Sequence, residues 1–281
     1  MGESLMQHWG SLFAAVYLGG FVLFGALELL SPKRAWSEPT AIRWLNNTGI
    51  FVASAGILYL LFPILTVPFS FVVEERGWGV FNQMENPGAS VIILSVIIVD
   101  LGRYIEHRLL HKLPLLWRLH RMHNADRDFD VTTTLRAHPF EVIFSTAFRM
   151  MIIAIFGLPV VAVILAELLI IMTNLFIHAN MRLPLGVERR LRLVIVTPDF
   201  HRVHHSTRIE ENNSNFANIF SAWDYLFRTY KQEPIGGHEG MDIGLEEFRD
   251  PKHMLLHWMI INPVLAPDEA FQRAIDRRET A

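Results

Sequence analysis

The chain has 281 residues, 51% of them hydrophobic, with a formal net charge of −3, 13 histidines and no cysteine. That apolar weight, with a positive mean hydropathy, exceeds what a soluble domain of this length carries and predicts a bilayer protein. The near-neutral charge, with arginines clustered locally, excludes a nucleic-acid surface, and the lack of cysteine excludes disulfides, iron–sulfur clusters, thiolate haem and a cysteine nucleophile.

Four apolar runs follow in chain order. Residues 11–30 are long enough to cross the hydrocarbon core, with Glu28 near the end; no lysine or arginine precedes them and no small-residue cleavage site follows, which argues against a removable signal peptide. The second run, Thr48 to Phe71, is interrupted by Pro63 and Pro68, which bend a membrane helix without forbidding it. The third is apolar from Ala89 to Val99, then passes through Asp100, Arg103 and Glu106 into His107, so this helix carries polar residues out of the bilayer. The fourth, Val142 to Ile177, is too long for one span and is punctuated by Gly157-Leu158-Pro159, which predicts a helical hairpin that dips in and returns.

Charge orients these runs. The connection from Ser31 to Asn47 carries Lys33, Arg34 and Arg43, whereas that from Val72 to Gly88 carries Glu74, Glu75 and Glu85 against Arg76, so the first is placed in the cytoplasm. By alternation, residues 103–136 and everything after Arg182 fall on that same side. The expected fold is all-α: an integral-membrane bundle of about four embedded helices with a cytoplasmic helical cap. It divides into an N-terminal hairpin at 1–88, a catalytic unit at 89–235 and a tail at 236–281.

The cap holds three histidine clusters: His107-Arg-Leu-Leu-His111, His120-Arg-Met-His123 and His201-Arg-Val-His204-His205. On a helix, residues four apart are separated by about 40° and residues three apart by about 60°, so each cluster directs its imidazoles to one side. Thirteen histidines in this length give roughly 0.6 chance pairs at spacing four but only about 0.03 triplets of the form H-x-x-H-H, so the triplet is the informative one. By the same test the pair His253 and His257, in the tail, carries little weight. Pro114 ends the helix of the first cluster and opens that of the second; Thr197-Pro198-Asp199 reads as an N-cap, a proline at the first helical position and a first-turn acid. His138-Pro139 repeats the device, with Glu141 near the helix start.

A structural zinc is saturated by four ligands and a catalytic one by three, so eight or more convergent histidines predict two metals, held by nitrogen and oxygen. Imidazole accommodates zinc, copper, iron and nickel alike. Asp100, Glu106, Asp199 and Asp224 are the expected acceptors for the outer ring N–H groups. Trp117, Met122, Phe129, Phe148, Met150 and Met151 are candidates to line an apolar route from the bilayer. A divalent-metal transporter would place its ligands on broken spans near the midplane, whereas these histidines flank the spans among arginines, which favours an enzyme. A zinc-dependent lipid hydrolase is the competing enzyme and would act without oxygen.

The ordered set of these clusters with Arg136 to Glu141 (Arg-x-His-Pro-x-Glu), Phe176 to Asn180 (Phe-x-His-Ala-Asn) and Thr197 to Ser206 resembles the fatty acid hydroxylase and sterol desaturase superfamily. Asn215-Phe216 through Trp223-Asp224 to Tyr230 resembles the segment that follows the last cluster there, and the likeness spans roughly residues 95–235. The resemblance implies a membrane di-iron oxygenase that uses O2 and external electrons to hydroxylate or desaturate a lipid, with two iron ions replaceable by zinc on purification. It implies His107, His111, His120, His123, His178, His201, His204 and His205 as ligands, with His138 as a further candidate. It also implies a ferredoxin, cytochrome or reductase as electron donor, and a site at the cytoplasmic face of a bacterial inner membrane. Two positions depart from the pattern: Asn124 stands where a third histidine is usual after His123, and Asn174 stands four before His178 where some members keep one. In the tail, Ala217 and Arg228 replace customary glycines. Acyl chains, sterol-like polycycles, carotenoids, ether lipids and aminolipids are all compatible substrates.

Overall fold

The computed structural model describes residues 2–61, 65–84 and 88–265. Among them no β-strand forms, only isolated bridges, and every regular element is a helix. The long helices are α1 (Gly2–Leu30), α2 (Thr40–Leu61), α3 (Thr66–Glu75), α4 (Ala89–Lys112), α5 (Pro114–Asn124), α6 (Pro139–Phe156) and α7 (Val160–His178). The shorter α8 (Leu185–Leu191) and α9 (Pro198–His204) follow, and then a chain of short helical turns.

Among the described residues three helices are long and apolar enough to cross a membrane: His8–Leu30 of α1, α6 and α7. Their outer surfaces expose large apolar side chains, including Leu18 at 63% and Leu30 at 82%, a belt no soluble monomer of this size would leave uncovered. The chain is an integral membrane protein on this pattern. The expected second run is divided differently: α2 begins at Thr40, ends at Leu61, and a separate α3 follows, with Pro68 in its first turn, where the missing N–H has no intrahelical acceptor to lose. Pro63 and Glu85 lie outside the described residues. α4 runs unbroken from its apolar half into the first histidine pair, and its ionisable residues keep it out of the three candidate spans.

The hairpin reads as its sequence predicts. Gly157 terminates α6 in the left-handed region (φ 66°), and Pro159 precedes α7. A side chain at Gly157 would meet the Trp78 carbonyl at 2.5 Å, so the turn also admits the close passage of residues 78–79. α1 and α4 pack along α7, α2 and α3 along α6, and α5 folds back on α4 through the Pro114 bend.

Buried polar bonds tie the membrane helices to the cap. Glu28, fully buried near the end of α1, accepts from the backbone N–H groups of Val131 and Asn180 at 3.0 and 2.9 Å. Arg43 of α2 bridges Asp126 and Asp130 at 2.9 and 2.5 Å. Lys33 pairs with Asp199 at 2.9 Å, and Arg34 donates to the carbonyls of His238 and Met241. The basic loop between α1 and α2 therefore lies on the same side as the third histidine cluster.

Candidate metal centre

Helical period and caps deliver the imidazoles. α4 presents His107 and His111 one turn apart, α5 presents His120 and His123, and α7 ends at His178. The Thr197 side chain accepts from the Phe200 N–H to start α9 with Pro198 in its first turn, so His201, His204 and His205 leave one short helix and its C-cap.

The structure gathers these eight histidines into two adjacent groups: His107, His111, His120 and His204, and His123, His178, His201 and His205. Within each group the offered ligand atoms lie within 4.8 Å of one another. Spacing sorts them. The pairs four apart, His107 with His111 and His201 with His205, each stay in one group, whereas His120 and His123, three apart, are divided, and His204 leaves its own cluster for the first group. Along the chain the clusters are three; in space they are two.

Four Nε2–Nε2 separations run from 3.1 to 3.3 Å: His107–His120, His123–His178, His178–His201 and His201–His205. With metal–nitrogen bonds of about 2.1 Å, the edge of a coordination polyhedron is about 3.0 Å (octahedral) to 3.4 Å (tetrahedral). The nitrogens are thus spaced as ligands of shared cations.

The outer nitrogens support this. Nδ1 of His107 donates to the Phe216 carbonyl at 2.8 Å, that of His123 to Arg136 at 3.0 Å, that of His178 to Asn174 at 2.8 Å and that of His204 to Ser214 at 2.9 Å. His120 Nδ1 meets the Glu141 carboxylate at 2.8 Å. Each bond fixes a tautomer whose Nε2 lone pair faces inward. His204 Nε2 and His111 Nδ1 are buried without a partner, a state that costs about 1–3 kcal/mol per group unless something fills it. Burial and neighbouring imidazoles hold His123, His201 and His205 far below the ordinary histidine range, and desolvation takes His204 to about 3. Those four imidazoles are held neutral, the form that binds a cation, and the eight residues fit a pair of metal ions. Aromatic walls exclude water: Phe216 lies against the first group, 5.2 Å from His111 between ring centroids, and Phe129 against the second, 5.0 Å from His205.

Several expectations are relocated by the structure. His138 joins neither group: its Nδ1 accepts from the Phe140 N–H as the N-cap of α6, and its Nε2 faces the Ile260 carbonyl at 3.0 Å. His253 and His257 also lie elsewhere, the first edge-on and the second tilted against Trp258. Asn124 is fully buried, with Nδ2 3.4 Å from His111 Nε2 and Oδ1 accepting from Asn212, so it is an outer partner of the first group. Asn174 uses its backbone carbonyl for His178 and its side chain for Asn218.

None of the four expected acids bonds a histidine of the two groups. Asp100 accepts from the backbone of Ile219 and Phe220 and from the Trp223 indole, while Glu106 pairs with Arg103. Asp199 pairs with Lys33 and Arg202, and Asp224 accepts from the N–H groups of Phe216 and Ala217. Asp100 and Asp224 therefore act one step out, fixing the loop whose Phe216 carbonyl orients His107. Glu141 and the backbone carbonyls do the work expected of those acids. Glu141 carried a signal, its place in the first turn after His138-Pro139, but the carbonyls left none in the sequence. Arg228 adopts φ 57° where glycine is customary, whereas Ala217 has no positive φ.

A cavity of about 180 Å³ adjoins both groups, reaching His107, His120, His123, His178 and His201. It opens between α4, α6 and α7. The apolar residues expected along a substrate route do not line it: Trp117 packs on His111 and Met122 on Ile50, and Phe129 backs the second group.

Comparison with known proteins is consistent with this centre. The fatty acid hydroxylase family model matches residues 92–229. Ornithine lipid hydroxylase OlsE of Rhizobium tropici is 30% identical over 231 residues, covering 79% of this chain and 68% of that protein. Alkylglycerol monooxygenase of Danio rerio is 30% identical over 212 residues, or 75% of this chain and 46% of the relative. Methylsterol monooxygenase 2-2 of Arabidopsis thaliana is 26% identical over 243 residues, or 82% and 90%. The chain spans about half the length of the alkylglycerol monooxygenases of Danio and Xenopus tropicalis. No solved structure matches it.

Proposed function

Since the chain belongs to the fatty acid hydroxylase family, we propose that it is a membrane di-iron monooxygenase that hydroxylates a lipid, and that the eight clustered histidines hold the two irons. The observation that carries the reading is the sorting of eight imidazoles, all but the half-buried His107 fully buried, into two groups of four beside a cavity between membrane helices. The bound metal pair supplies the power to activate O2 and oxidise an unactivated C–H bond. In balance, the C–H bond gives way to C–OH; one atom of O2 enters the product and the other leaves as water, with two electrons from an external carrier and two protons.

The residues of the chain supply geometry. Glu141 and the carbonyls of Arg136, Asn174, Ser214 and Phe216 hold the ring nitrogens in one tautomer, so the set is arranged before any ion arrives. Phe129 and Phe216 keep water from the nitrogens. Residues 89–235 form the catalytic unit in this reading, braced by Glu28 and Arg43 from before it and by Ile260 and Asn262 from after it. We place the centre at the cytoplasmic face of a bacterial inner membrane; the support is the contact of Lys33 and Arg34, from the basic connection, with the cap. A ferredoxin, cytochrome or reductase is the proposed electron donor.

The test is lipid mass spectrometry of a host expressing the protein under isotopically labelled O2. A lipid gaining one labelled oxygen is expected. Loss of two hydrogens without oxygen would make it a desaturase, and lipid cleavage that persists without O2 would make it a hydrolase. Replacing Glu141 with alanine leaves His120 Nδ1 unpaired and is expected to weaken metal retention about 10- to 100-fold in a chelator challenge, with glutamine recovering part of the loss. Unchanged retention in the alanine variant would remove Glu141 from the assembly.

A further inference from the structure

An enzyme that met only hydrocarbon would need an apolar chamber, yet in the chamber beside these histidines charged and polar side chains share the lining with apolar ones such as Leu110, Val142 and Ile177. Arg103 and Glu106 of α4, Glu141, Ser145 and Arg149 of α6, and Asn174 of α7 all face it. Arg149 is the least expected of them. It lies ten residues into α6, roughly 15 Å from the helix start, inside a segment long and apolar enough to cross a bilayer. Glu167 of α7 holds it by an ion pair of 3.3 Å, Nε to Oε1. Ionisable side chains at that depth are costly and persist where they face a partner or a cavity; Arg149 does both.

The hydrogen-bonding capacity of this lining is not used up within the protein. The Nε atom of Arg103 is buried without an acceptor, and Glu141 Oε2 is buried without a donor. Size narrows what could engage them. At about 180 Å³ the chamber is smaller than the roughly 300 Å³ at which pockets for whole drug-sized ligands begin, so it accommodates one end of a lipid, not its length. Its polarity decides which end.

We propose that the chamber takes the polar end of an amphiphilic lipid, with Arg149, positioned by Glu167, donating to the oxygens of a carboxylate or phosphate headgroup. The C–H bond oxidised then lies in the headgroup or within a few carbons of it, not in mid-chain. The inference rests on the hydroxylase reading for its chemistry, which is the monooxygenation balanced above, and on the cavity alone for its binding claim.

Binding is measured on the full-length, metal-loaded protein in detergent, with N-palmitoylglycine and hexadecyl phosphate as headed probes and hexadecane as the headless chain. Both headed probes, or one of them, should bind at least tenfold more tightly than hexadecane, and the better one identifies the headgroup chemistry. Arg149→Met should weaken the headed probe at least tenfold and hexadecane less than twofold, with Arg149→Lys intermediate. If Arg149→Met fails to fold, Glu167→Gln takes its place, expected to weaken the headed probe severalfold with hexadecane unchanged. Equal affinity for headed and headless chains, or a preference untouched in these variants, overturns the proposal. Mapping the oxygen in the product separates the two readings. Oxygen in or beside the headgroup supports both, and oxygen in mid-chain overturns this inference while leaving a hydroxylase. Headgroup-dependent binding without any oxygenated product overturns the hydroxylase and leaves the binding site.

Discussion

Replacing His204 with alanine should leave the protein with at most one of two metal ions and lower lipid hydroxylation by more than about 100-fold, the upper end of what losing a mere outer partner costs. His204 is the member of its cluster that crosses to the first group; its Nδ1 is committed to Ser214 and its Nε2 is buried with no partner among the described residues. Alanine therefore removes one of four donors and leaves a cavity that no neighbouring side chain fills. The check is metal content per chain together with product formation, with His257→Ala, on an exposed residue of the tail, as the control that should change neither. A fully active His204→Ala protein carrying two ions would remove His204 from the ligand set.

The largest effect on stability is expected from Arg43→Leu. Arg43 is buried and holds two buried carboxylates, Asp126 and Asp130. Asp130 also accepts from the indoles of Trp36 and Trp44 and caps the short helix Val131–Leu135. Removing one partner of a buried pair costs about 3–5 kcal/mol, because the remaining charge stays desolvated and unpaired. That corresponds to a fall in Tm of about 10 °C for a chain of this size, read by thermal unfolding in detergent. The damage should reach the centre, since the segment from Asp126 to Arg136 ends at the carbonyl that orients His123. Acid should imitate the variant. Burial alone would raise the Asp130 carboxyl, but Arg43 together with the hydrogen bonds from Thr132 and Trp44 outweighs it and holds the group below its ordinary value. The stabilisation is thus complete above the ordinary carboxylate range and is lost as pH falls through the lowered value. A Tm unmoved by Arg43→Leu would show the pair to be dispensable.

Much of the fold is legible in the residues because it is local. Apolar length marks α1, α6 and α7, Gly157 and Pro159 mark the hairpin, and Pro114, Pro139 and Pro198 mark helix starts. Each follows from the helical repeat, the fixed φ of proline or the freedom of glycine, which need no knowledge of distant chain. The second apolar run misleads for a related reason: hydropathy averages over Leu61 and Thr66 and does not see that the chain divides there into two helices. The acids near the clusters mislead because proximity in sequence says nothing about direction, and Asp199, two residues from His201, faces Lys33.

By itself the sequence determined that this is a helical membrane protein whose histidines are spaced to converge, and that any metal it holds would meet nitrogen and oxygen donors. Only the tertiary structure decided how the eight histidines divide, sending His204 one way and His201 and His205 the other. It alone paired His107 with a carbonyl 109 residues away, made His138 a helix cap, and set Arg149 beside the centre. Spacing along one helix fixes the direction of a side chain, but which rings and carbonyls meet depends on how separate helices pack, and that is settled by burial over the whole chain.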